Sequence, residues 1–220
     1  MPLAAVIFDL DGVVIDSHDA HRHSWCQLAA ELGREITAAQ FKASFGQRNE
    51  SIIPWLGWAD STDSATVRRL GDRKEELYRA ILRQQGITPL PGVVHLLDRL
   101  AGGRIPAALG TSTPLANVEC VLELTGLGPR FRAIVAAGDV RRGKPDPEVF
   151  VTAAGRLAVA PADCVVIEDA HAGLRAARAG GMKTVAVATT HPPASLRAES
   201  PDLVLDSLEH LDLAVLRGLW

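Results

Sequence analysis

Short apolar runs punctuate the chain and predict strands. Ala4-Ala5-Val6-Ile7-Phe8 is the first, and residues 105–109, opening Ile105-Pro106, the second. Residues 133–136, 164–167 and 184–187 follow, and Leu203-Val204-Leu205 is the last. Each run is apolar at consecutive positions, so both of its faces are buried. That pattern fits a parallel sheet covered by helices. Helical stripes lie between the runs. Val93, Leu96, Leu97 and Leu100 recur at helical spacing, as do Val118, Val121, Leu122 and Leu124. Residues 149–157 and 174–179 continue the alternation. The expected fold is α/β, a doubly wound, mainly parallel sheet of Rossmann-like type.

Residues 17–86 break this rhythm and show no clear strand. Trp25, Leu28, Ala29 and Leu32 form one helical stripe. A second amphipathic pattern runs over residues 67–82 and ends at Gln84-Gln85-Gly86. Pro89-Leu90-Pro91-Gly92 then reads as a turn re-entering the core. We therefore expect a core domain of residues 1–15 and 90–220, interrupted by an all-helical domain of residues 16–89.

Composition narrows the partners. With 220 residues and 47% apolar content, the chain can bury a substantial core, a composition that argues against disorder. Lys and Arg total 23 against 26 Asp and Glu, a net charge of -3. Those basic residues are scattered, which is no footprint for nucleic acid. A small anion remains a suitable partner, since one pocket needs only one or two cations. Cys26, Cys120 and Cys164 lie far apart, with no zinc or redox spacing. No secretory signal is visible, because residues 1–8 lack a basic start and Asp9 ends the run. No apolar run approaches the ~20 residues of a membrane span. We expect a cytoplasmic protein with no membrane partner, a monomer or weak dimer.

Four motifs carry chemistry. Asp9 closes a buried strand, where a carboxylate is costly unless used, and Asp11 follows two residues on. Paired acids repel unless a proton or cation sits between them, and Mg²⁺ favours oxygen ligands. By itself the pair reads equally as an acidic turn. A calcium loop is disfavoured, since Gly12 comes too early and Ala20 holds the twelfth position. Gly110-Thr111-Ser112-Thr113-Pro114 offers hydroxyls and N–H groups at a strand end, an anion site or a plain helix cap. Gly143-Lys144-Pro145 holds a lysine between two backbone-restricting residues, and alone reads as a surface turn. Glu168-Asp169 puts two more acids after a strand, where helix capping is the alternative. The combination says more than any part. In parallel α/β sheets, sites form at the carboxyl ends of strands, and acids, Lys and hydroxyls gathered there suit phosphoryl transfer with Mg²⁺.

These motifs, together with the run Glu168-Asp169-Ala170-His171-Ala172-Gly173-Leu174-Arg175, resemble the haloacid dehalogenase superfamily in its phosphatase and phosphomutase branch. The resemblance covers nearly the whole chain, and it makes the helical insert a cap domain. A Ser is usual in the family where Ala170 stands. The resemblance implies that Asp9 is the nucleophile of an aspartyl-phosphate intermediate and Asp11 the general acid and base. It implies that Thr111, Ser112 and Lys144 bind the phosphoryl group. Asp9, Asp11 through its carbonyl, Glu168 and Asp169 would hold Mg²⁺. In beta-phosphoglucomutases a His, an Arg and a Lys of the cap stand where His21, Arg48 and Lys74 stand here, and contact substrate or the proton-transferring acid. This chain departs from those mutases at Ile15-Asp16-Ser17, usually Thr-Asp-Thr, and at Gln47-Arg48, usually Ser-Arg.

Three functions are therefore weighed. The leading expectation is a Mg²⁺-dependent phosphatase acting on a small phosphorylated metabolite, such as a sugar phosphate. A beta-phosphoglucomutase-like mutase is the alternative. A catalytically idle phosphate-binding module is the third.

Overall fold

The computed structural model describes residues 3–44 and 47–220; Gly46 of the run around Arg48 lies outside them. The chain divides into two compact units, Met1–Asp16 with Ile87–Trp220, and Ser17–Gly86.

In the larger unit, strands β1 (Ala5–Phe8), β2 (Ala107–Gly110), β3 (Ala133–Val135), β4 (Cys164–Glu168), β5 (Lys183–Val187) and β6 (Leu203–Leu205) form one sheet. The order is β3-β2-β1-β4-β5-β6, and every pairing is parallel. This is the α/β, Rossmann-like arrangement expected from the pattern. β1, β2 and β4 are buried at every position, as continuous apolar runs require. β2 starts two residues later than its apolar run, because Pro106 has no N–H to give the ladder. Its carbonyl still accepts from Val6 N at 3.1 Å. Ile7, Ala108, Val135, Phe150, Val166 and Ala177 belong to one hydrophobic cluster on the sheet. At roughly 1.5–3 kcal/mol for each large side chain, such clusters dominate the stability of the unit. Residues 87–90 also belong here, tied by an Ile15–Pro89 bridge and by Leu90 N donating to Val14 O at 2.8 Å.

The helical unit contains α1 (His18–Glu31), α2 (Ala38–Ser44), α3 (Asn49–Trp55) and α4 (Ser64–Gln85). Its core joins Trp25 and Leu28 of α1, Ile52 and Ile53 of α3, and Val67, Leu70 and Leu77 of α4. Asp63 caps α4, accepting from Thr66 N at 3.0 Å. In the larger unit the helices are α5 (Val93–Gly102), α6 (Leu115–Thr125), α7 (Glu148–Arg156), α8 (His171–Ala179), α9 (Pro193–Arg197) and α10 (Leu213–Arg217). α5 buries Val93, Leu96, Leu97 and Leu100, the stripe its sequence shows. Among the described residues, no helix is long and apolar enough to cross a membrane.

Candidate active site

The strand order makes the site. Connections from β1 run through β2 to β3 on one side, then cross back to β4 on the other. β1 and β4 therefore flank the point where the order reverses, and ligands bind outside the carboxyl ends of strands there. Asp9 follows β1 and Glu168 ends β4. Asp9 N donates to Ile167 O at 3.0 Å, so the first acid is carried on the ladder itself.

After Asp9 the chain turns sharply, with Gly12 N donating to Ile15 O at 2.8 Å. Gly12 has φ +80°, and a Cβ there would lie 2.2 Å from Asp169 Oδ2. Only glycine fits both the backbone and the close approach. Glu168, 1% exposed, is held on every side. Its Oε2 accepts from Asp169 N and Ala170 N, both at 2.7 Å. Its Oε1 accepts from Lys144 Nζ at 2.7 Å, and Lys144 Nζ also donates to Asp9 Oδ1 at 2.7 Å.

Lys144 arrives on a braced loop. The Glu148 carboxylate accepts from Arg141 N and Arg142 N, each at 3.0 Å, and the Lys144 ammonium lies 4.7 Å from the Phe150 ring centre. Burial opposes its charge, but Asp9 and Glu168 overcome that and raise its pKa.

The carboxylates of Asp9, Glu168 and Asp169 each bring one oxygen within 4.8 Å of the others, and all three residues are buried. Charges that close repel by about 3 kcal/mol per pair at an effective dielectric near 20. Asp9 shows the strain: burial, with Glu168 and Asp11 adding to it, pushes its pKa from 3.8 up to about 7 against the pull of Lys144. Asp169 is likewise raised well above its ordinary value, by burial first and then by Glu168 and Asp9. Three acids and one ammonium leave two negative charges uncompensated when all are ionised. The donor set is hard oxygen, so the site fits a divalent cation of the Mg²⁺ kind.

The Asp11 carboxylate stands outside this trio and accepts a short hydrogen bond from Thr113 Oγ1. Thr111 is 1% exposed; its N donates to Val135 O at 3.0 Å and its Oγ1 accepts from Thr113 N at 3.1 Å. Ser112 is exposed on the same turn. Two residues of the larger unit's site escaped the sequence reading. Thr113 lies inside the quoted motif but was not singled out. Thr190, whose Oγ1 donates to Asp169 Oδ2, lies beyond β5.

In the helical unit, His21 and Lys74 meet: Lys74 Nζ lies 2.7 Å from His21 Nδ1. An ammonium only donates, so Nδ1 accepts and the ring proton sits on Nε2. His21 stacks on Tyr78 at 4.2 Å. Lys74 is 2% exposed and also donates to Glu75 Oε1 at 3.0 Å, which accepts from Asn49 Nδ2 at 2.7 Å. Asn49 was not expected there; its neighbour Arg48 was, and Arg48 is exposed just ahead of α3.

A family model for haloacid dehalogenase-like hydrolases matches residues 3–181. The chain belongs to the haloacid dehalogenase-like hydrolases. Relatives within this family divide by reaction. The chain is 37% identical over 217 residues to chloroplastic 5-amino-6-(5-phospho-D-ribitylamino)uracil phosphatase of Arabidopsis thaliana, covering 97% of this chain. It spans 57% of that relative's length. It is 36% identical over 189 residues to fructose-1-phosphate phosphatase YqaB of Escherichia coli, covering 84% of this chain and 96% of the relative. Among solved structures, beta-phosphoglucomutase from Clostridium difficile superimposes with a TM-score of 0.86 at 29% identity, over 99% of this chain and 96% of that one.

Proposed function

We propose that this haloacid dehalogenase-like hydrolase is a Mg²⁺-dependent phosphatase of small phosphate monoesters, of the sugar-phosphate class, working through an aspartyl-phosphate. The observation that carries it is the Asp9–Lys144–Glu168 ion cluster beside Asp169 at the β1/β4 reversal. Asp9, Glu168, Asp169 and the carbonyl of Asp11 would hold Mg²⁺, which when bound neutralises charge on the phosphoryl group. Lys144 supplies a second positive charge, and Thr111 and Ser112 supply donors at the neighbouring strand end.

In the first step an Asp9 carboxylate oxygen bonds to phosphorus and the ester P–O bond breaks. The leaving oxygen takes the proton of Asp11. In the second step a water oxygen bonds to phosphorus while Asp11, now a carboxylate, takes the water's proton. The Asp9–phosphorus bond breaks, returning the free carboxylate, inorganic phosphate and a protonated Asp11. Splitting hydrolysis in two is the use of a carboxylate nucleophile. The Thr113 hydroxyl bond keeps Asp11 in place for both proton transfers.

A second reading, the mutase, has one observation in its favour: half-buried His21 and buried Lys74 form a built pair at the positions where beta-phosphoglucomutases carry substrate-contacting residues. Phosphate release from a panel of sugar phosphates, with Mg²⁺ and with EDTA, separates the two. Release that needs Mg²⁺ and is lost in Asp9→Asn supports the phosphatase. Conversion of beta-glucose 1-phosphate to glucose 6-phosphate without net phosphate release supports the mutase instead. Binding without either reaction leaves the idle module.

A further inference from the structure

The loop after β5 carries Thr189-Thr190-His191, which the proposed reaction does not use. Thr189 Oγ1 donates to the carbonyl of Gly12, and Thr190 Oγ1 donates to Asp169 Oδ2. These two adjacent hydroxyls grip both sides of one gap. On one side is the turn that follows Asp9 and Asp11; on the other is the Asp169 carboxylate. The gap is tight: a Cβ at Gly12 would lie 2.2 Å from Asp169 Oδ2 and 3.0 Å from Thr190 Cγ2.

The chain of hydrogen bonds has a direction. A hydroxyl has one proton, and an ionised carboxylate only accepts. With Asp169 ionised, Thr190 gives it its proton, and the Thr190 oxygen accepts from His191 Nδ1, 2.9 Å away, in the tautomer that carries the ring proton there. His191 lies edge-on to His171, with ring centres 4.9 Å apart. His171 is itself fixed by Glu199 at 3.0 Å and Ser195 at 2.8 Å. Asp169 needs such a hold. It is 4% exposed and faces two other acids that repel it, so an unrestrained side chain would swing away from them.

We propose that Thr190 is a positioning residue for the divalent cation, holding Asp169 against the repulsion of Asp9 and Glu168 so that three carboxylates converge before the ion arrives. This rests on reading the trio as the Mg²⁺ site. Outer partners of this kind typically change metal affinity about 10- to 100-fold when removed.

The test titrates MgCl₂ calorimetrically into the full chain, as wild type, Thr190→Val, Thr190→Ser and Asp169→Asn. Thermal unfolding of each is recorded in EDTA. Thr190→Val should weaken Mg²⁺ binding about 10-fold or more. Thr190→Ser should restore wild-type affinity, and both should unfold in EDTA where the wild type does. Wild-type Mg²⁺ affinity in Thr190→Val, with binding lost in Asp169→Asn, overturns the positioning role and leaves the site reading intact. Unchanged binding in Asp169→Asn, or no binding by wild type, overturns the site reading and the proposal with it. Lower unfolding temperatures in EDTA for both Thr190 variants, with equal loss of affinity, make the role structural and also overturn it.

Discussion

Gly173 lies in the first turn of α8, and alanine there should destabilise the protein although alanine is the better helix former. A Cβ at Gly173 would sit 1.7 Å from Glu168 Oε1 and 2.0 Å from its Cδ. Glu168 is buried and has no idle oxygen to move. One oxygen holds Lys144 and the other holds two backbone N–H groups, each bond 2.7 Å long. Admitting a methyl group therefore displaces a carboxylate with three charge-assisted bonds, each worth about 1.5–3 kcal/mol. Even with two of them partly retained, the loss exceeds the ~1 kcal/mol that Gly→Ala gains in a helix. A net cost of about 3–5 kcal/mol follows, or roughly 10 °C in Tm for a chain of this size.

Gly155 is the control. It lies in α7, is exposed, and a Cβ there meets nothing within 4 Å. Gly155→Ala should raise Tm slightly, by about 1–3 °C, from helix propensity alone. Scanning calorimetry in EDTA reads both. A cycle sharpens the test: with Glu168→Ala already in place the methyl group has room, so Gly173→Ala should become neutral or stabilising. A Gly173→Ala Tm at or above wild type, or additive effects in the cycle, would refute the reasoning.

Three further outcomes are expected. Lys144→Met removes the ammonium between Asp9 and Glu168 and leaves buried acids unpaired, a loss of about 3–5 kcal/mol; urea unfolding at neutral pH measures it, and a cost below about 1 kcal/mol contradicts the pairing. Asp9, raised to about 7, keeps a proton that the unfolded chain loses near 3.8, so its own contribution to metal-free stability should fall as pH rises between those values, and Mg²⁺ binding below pH 7 should release protons. Calorimetry in two buffers of different ionisation heat checks this, and identical heats would count against it. Asp202 behaves oppositely: burial opposes its charge, but bonds from Lys183 and Thr184 win and hold its pKa below 3.8. Its contribution is complete above that value and is lost as pH falls through the lower folded pKa, so the Tm gap between wild type and Asp202→Asn should hold steady at higher pH and narrow only as pH falls below 3.8.

What could be read from the residues alone tracks physical cost. An aspartate ending Ala5-Val6-Ile7-Phe8 is expensive in a buried strand, and that expense marked Asp9, while Glu168 and Asp169 stood out as a second acid pair at a strand end. Continuous apolar runs made the six described strands legible, fully buried in β1, β2 and β4 and only half-buried in the edge strand Leu203–Leu205. The short helices α2 and α3 were not legible. Each has seven residues and only two buried positions, too few for a period to show, and α3 carries Pro54 inside it.

Thr190 marks a deeper boundary. A Thr-Thr-His loop costs nothing in water, so nothing in its composition sets it apart from any solvated turn. Its meaning comes from the sheet order, in which β5 lies beside β4 and so delivers its loop next to Asp169. Asn49 and Glu75 are alike in this, paired across 26 positions by the packing of α3 on α4. Residues that are costly to place declare themselves in one dimension. Residues that only restrain the costly ones become visible once neighbours in space are known. The trio of acids belongs to the first class and its threonine clamp to the second, so on the proposed reading this chain would keep every recognisable motif and still lose metal affinity through a position no motif contains.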